Sequence, residues 1–92
     1  MNLVLAEELL ASHFAQYRVL PYSELADKII RGDVDTWETD VSGVLYRFEF
    51  QFFWDDEPYQ EIRVVGSVFT DPRGLSVKND FILLPNGRFV EK

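Results

Sequence analysis

Cysteine is absent from the 92 residues. That absence excludes a disulfide framework, a thiolate zinc site, an iron–sulfur cluster and a cysteine nucleophile together. Histidine occurs once, at His13; a Ser–His–Asp constellation would need that one ring, and no serine sits in a G-x-S-x-G elbow. Also missing are G-x-x-x-x-G-K-S/T, G-x-G-x-x-G and H-E-x-x-H, so nucleotide-binding and metalloprotease readings have no anchor and no cofactor is expected. Basic residues are few: six Arg and three Lys, scattered singly, stand against sixteen acids. The clustered positive footprint that neutralises phosphates is lacking, which argues against nucleic acid as a partner. No run of 18 apolar residues occurs, and the opening MNLVLAEELL reaches two glutamates before any basic leader region. A soluble, cytoplasmic protein without a membrane span is the expectation.

What the chain does contain suits one globular domain over residues 1–92. Apolar residues make up 47% and charged residues 27%, far from the composition of disordered chains. The net charge of −7 is local. Residues 1–32 sum to −1, residues 33–61 carry nine acids and one base, and residues 62–92 sum to +2. Such an acidic centre repels nucleic acid and anionic lipid and suits a basic protein partner, unless it serves only solubility.

Two helices are expected first. Leu3, Leu10, Phe14 and Tyr17 recur at helical spacing from Asn2 to Tyr17, with Asn2 as the cap and Arg18 at the end where the helix dipole favours a cation. A second helix opens at Pro21 and carries Tyr22, Leu25, Ala26, Ile29 and Ile30 to Gly32. His13 lies beside the apolar stripe of the first helix and reads as a packed or partly exposed helix residue rather than a catalyst.

After Asp33 the period changes to two. Val44, Tyr46, Phe48, Phe50, Phe52 and Trp54 alternate with Leu45, Arg47, Glu49, Gln51 and Phe53, the signature of a long strand with one strongly apolar face. Thr36 to Val41 precedes it across the Ser42-Gly43 turn, and Gln60 to Thr70 follows across a loop from Asp55 to Tyr59. Matching like faces sets Trp54 opposite Gln60, Phe52 opposite Ile62, Phe50 opposite Val64 and Phe48 opposite Gly66. On the outer side this register sets Arg63 opposite Gln51 and Leu45 opposite Phe69. Asp71 to Gly74 reads as a turn, Asp80 to Leu84 as a fourth strand, and Arg88 to Val90 as a short return across Pro85-Asn86-Gly87. The fold class is α+β: two N-terminal helices packed on one face of a four- to five-stranded antiparallel meander sheet.

Candidate sites are sparse. Asp55-Asp56-Glu57 is the densest carboxylate cluster, but it lacks the ligand spacing of a calcium loop, and no metal is expected there. The outer sheet face places Leu45, Phe53, Val65 and Phe69 among charged and polar groups. Such a half-apolar face is either covered within the monomer or marks an interface. These four residues are the candidate interface of a homodimer or larger homo-oligomer. The alternative is a small-ligand protein or small enzyme with a pocket near Trp54, Asp55, Asp56, Arg63 and Asp80, where Trp and Arg beside carboxylates suit a small polar ligand. No residue is assigned a catalytic role, and the leading reading is a non-enzymatic interaction module.

The strings Phe53-Trp54-Asp55-Asp56, Arg63-Val64-Val65-Gly66-Ser67 and Asp80-Phe81-Ile82 with Pro85, Gly87 and Phe89 resemble those of a group of small uncharacterised bacterial proteins. The resemblance runs over most of the chain from Pro21 onward. It implies a free-standing bacterial cytoplasmic protein, carried on mobile or accessory DNA, and brings no catalytic residues to transfer.

Overall fold

The computed structural model describes residues 3–71 and 76–91, with the side chains of residues 71 and 91 left aside. Helices α1 (Leu3–Arg18) and α2 (Tyr22–Arg31) precede strands β1 (Val34–Val41), β2 (Val44–Trp54), β3 (Ile62–Asp71), β4 (Val77–Leu83) and β5 (Phe89–Glu91). The strands form one antiparallel sheet in the order β1-β2-β3-β4-β5. The α+β class, the meander and the strand faces are those expected from the periodicities. The expected cap at Asn2 and positions 72–74 of the expected turn lie outside the described residues. Among the described residues no helix is long and apolar enough to cross a membrane.

Both helices pack on the face that carries the even-numbered residues of β2 and β3. Phe14 meets Phe50 edge-on at 5.2 Å between ring centroids and Phe81 at 5.6 Å. Tyr17 lies 4.9 Å from Phe50 and 5.4 Å from Phe52. Beneath them Phe48, Phe50, Val64 and Val68 are buried together with Ile62, Phe81 and Leu83. Arg18 ends α1 with its guanidinium over the rings of Phe81 and Phe89, so its charge serves as a packing contact as well as a partner for the helix dipole. α2 begins one residue later than expected. Pro21 stands just outside it in extended conformation, and its carbonyl accepts from the amides of Glu24 and Leu25.

The register differs from the expected one by two residues. Trp54 pairs with Ile62, Phe52 with Val64, Phe50 with Gly66 and Phe48 with Val68. The cause lies in the connection. Gln60 N–H donates to the Glu57 carbonyl at 3.2 Å and Asp55 N–H to that of Glu61 at 2.8 Å, which draws Gln60 and Glu61 out of the strand. Tyr59 stacks 5.0 Å from Trp54, and Tyr22 Oη donates to the Gln60 carbonyl, tying the loop to α2. An even shift keeps every side chain on its face, so the core is as expected while the cross-strand partners change. The outer partners move accordingly: Arg63 faces Phe53 instead of Gln51, and Phe69 faces Arg47 instead of Leu45.

Two strands begin earlier than expected. β1 begins at Val34 rather than Thr36, and β4 at Val77 rather than Asp80. The β1–β2 turn is the expected one. Ser42 and Gly43 both take positive φ, 53° and 81°, and Asp40 Oδ1 accepts from Gly43 N–H at 3.1 Å. That two-residue turn has the handedness that continues the strand twist.

Candidate functional site

The outer sheet face can be read row by row from the strand pairings. Phe53, Arg63, Ile82 and Val90 lie in line across β2 to β5. The next row holds Val34, Gln51, Val65 and Asp80, and the next Thr36, Glu49, Ser67 and Lys78. Glu38, Arg47 and Phe69 follow, then Asp40 with Leu45. No helix or strand of the described residues packs over this face. Phe53 is 46% exposed, while Leu45, Val65 and Phe69 are half-buried by their neighbours.

The four candidate interface residues therefore share one open face but form two patches. Phe53 and Val65 sit with Ile82 at one end, and Leu45 sits with Phe69 at the other, about 27 Å along β2 from Phe53. The row Thr36, Glu49, Ser67 and Lys78 separates them. Ile82 was not among the candidates. It is only 3% exposed yet stands outside the helix-side core, because register places it beside Arg63 on the outer face. Its position in an apolar run of β4 gives no hint of that.

Of the five candidate ligand residues the fold brings three together. Arg63 Nε and Nη2 donate to Asp55 Oδ1 at 2.9 and 2.6 Å, and Nη1 donates to Asp80. The hydrogen bond to Asp55 is the main influence that raises the guanidinium pKa above its ordinary value. Two carboxylates around one cation leave a net negative cluster, so Arg63 itself offers no free charge to an anionic ligand, although Lys78 lines the same depression of about 510 Å³. Trp54 belongs to the opposite face, packed against the core and Tyr59. Asp56 is exposed beside Glu57, Gln60 and Glu61 around a separate depression of about 260 Å³. No single cavity joins the five. Among the described residues no group of three or more His, Asp or Glu side chains is placed to hold a metal ion.

A second feature escaped sequence reasoning. Along the free edge of β1 runs a cleft of about 580 Å³, lined by Gln16, Tyr17 and Leu20 at the end of α1, Glu24 and Lys28 of α2, and Val34 to Trp37 of β1. Four consecutive strand residues point alternately to the two faces, so one wall of this cleft is the backbone edge itself. Asp35 is its polar anchor, accepting from Tyr17 Oη at 2.7 Å and from Lys28 Nζ at 2.9 Å. Burial, and then the donation to Asp35, push the Tyr17 phenol above its ordinary range, so it stays protonated. Trp37 is 41% exposed and stacks on His13 at 5.5 Å. His13 also lies 4.6 Å from Phe48, and burial lowers its pKa below 6.5, as befits a packing residue. The available signal was Asp35 and Trp37 two residues apart in an acidic strand; starting β1 at Thr36 concealed it.

No protein-family model, no curated protein and no solved structure matches the chain.

Proposed function

We propose that the protein is a non-enzymatic interaction module that forms a two-fold homodimer by stacking its outer sheet face on that of a second copy. The observation that carries this reading is the open outer face, with two apolar patches and a polar row between them that complements itself. With a two-fold axis along β3, each β2 residue meets a β4 residue of the other copy. Glu49 then faces Lys78, and Phe53 faces the patch at Ile82. Arg63 approaches its own counterpart, which is tolerable because Asp55 and Asp80 already offset its charge. The face measures roughly 20 by 30 Å, so two copies bury about 1,200 Å² in total, the lower end of the range for stable complexes. Aligned stacking of two sheets is the ordinary geometry for such a layer.

Sedimentation velocity at high micromolar concentration tests the reading. A dimer is expected, and the Phe53→Glu, Val65→Lys pair should convert it to a monomer with an unchanged circular dichroism spectrum, since charges at an interface core are costly to desolvate. Lys78→Glu alone should weaken the dimer, and adding Glu49→Lys should restore it. An unmodified protein that sediments as a monomer overturns the proposal.

A further inference from the structure

The cleft along β1 has a geometry that the outer face does not share. β1 closes one side of the sheet, pairs residue for residue with β2 over eight positions, and contains neither proline nor lysine. Natural sheets usually blunt such an edge with a short strand, a bulge, a proline or a lysine. The opposite edge is broken into short stretches, because β5 has only three residues and covers only Phe81 to Leu83 of β4. At β1 the edge instead borders the cleft of about 580 Å³, with Tyr17, Leu20, Glu24 and Lys28 on its other side.

Charge decides what can enter. Asp33, Asp35, Glu38 and Asp40 follow one another along β1 and its approach, and Glu24 and Asp27 lie on α2. Lys28 pairs with Asp35 and Arg31 with Asp33, and on β2 Arg47 and Glu49 cancel. The acids outnumber the bases by four along this side. Pairing β1 with the β1 of a second copy would bring like charges together across the new ladder, which is unfavourable. A strand bearing cations would meet the opposite sign. Trp37 adds an exposed indole beside Glu24 and Asp35, the setting in which a guanidinium stacks on an aromatic ring.

We propose that the edge of β1 takes up an extended segment of a partner protein, with arginine or lysine at alternate positions, as an added strand of the sheet. Backbone hydrogen bonds to β1 would supply affinity independent of sequence. The cations, which share one side of such a strand, would be directed toward α2 and selected by Glu24 and Trp37. This site does not depend on the dimer proposed above, because it uses the edge and not the outer face.

The test uses the full chain and a fluorescent heptapeptide of alternating arginine and valine with blocked ends. Saturable binding is expected by fluorescence anisotropy at low salt, weakening as salt is raised, with amide shifts concentrated at residues 34–41. Replacing arginine by glutamate in the peptide should abolish binding. N-methylating alternate peptide amides should do so in one of the two phases, because only one set of amides faces β1. The exposed substitution Glu24→Lys should weaken binding about tenfold or more. The proposal is overturned by failure to bind at about 1 mM peptide, or by equal binding of the glutamate peptide. It is equally overturned by equal binding of both N-methylated forms, or by shifts that map to the outer face of β2, β3 and β4 or to residues 55–61. Concentration-dependent shifts without peptide at Asp35, Trp37 and Thr39, which face away from the outer surface, would identify a second copy as the occupant and overturn it as well.

Discussion

At Gly66 the sheet leaves no room for a methyl group. A Cβ built there would stand 2.6 Å from Cε1 of Phe50 and 2.7 Å from Cζ of Phe14, and both rings are buried in the core. The glycine lets α1 set Phe14 down onto the strand that faces Phe50, so helix and sheet meet through ring edges instead of being held apart. Gly66→Ala should therefore destabilise the protein by about 1–3 kcal/mol, the usual cost of overpacking, read as a lower urea midpoint with an unchanged slope. An equal or higher midpoint would mean that the rings have space to withdraw. A glycine inside a strand pattern is compatible with room for a facing ring or with a bend in the strand, and the pattern does not choose between them. The actual partners of Gly66, Phe50 and Phe14, depend on register and helix docking, which no local pattern contains.

Between elements, the seam of α1 against β1 and β2 carries a titratable ring. His13 touches Trp37, Phe48 and Phe50, and burial lowers its pKa from 6.5. The unfolded chain then takes up this proton at higher pH than the folded one. Stability contributed by the neutral ring is present above 6.5 and is lost as pH falls from that value toward the folded pKa. Urea midpoints should fall between about pH 7.5 and 5.5, and His13→Phe, which keeps an aromatic ring in the seam, should flatten that slope. A slope unchanged by the substitution would assign it to other groups. That His13 lies beside the apolar stripe was readable from helical spacing alone. Its stacking on Trp37 was not, because the helix stripe says which side faces the sheet and nothing about which strand lies beneath.

Over the whole molecule, the outer face and the β1 edge are separate surfaces, one made of side chains and the other largely of backbone. Substitutions at independent sites act additively. The Phe53→Glu, Val65→Lys variant should thus bind the arginine–valine peptide within about twofold of the unmodified protein while losing self-association. Peptide affinity that falls together with the dimer would show that the two surfaces are coupled. The sequence by itself determined the element types, the α+β class, the buried faces of β2 and β3 and the absence of recognisable catalytic patterns. Those properties follow from the alternation of side chains along a chain, which is local. Tertiary structure alone decided that the 55–61 connection shifts the register by two and that Arg63 sits between Asp55 and Asp80 while Trp54 turns away. It also decided that Ile82 joins the outer face and that Tyr17, Lys28 and Asp35 meet beside an open edge. Each of these depends on groups far apart in the chain being brought together by loop geometry and helix docking, and the periodicity of a single segment carries no record of that meeting.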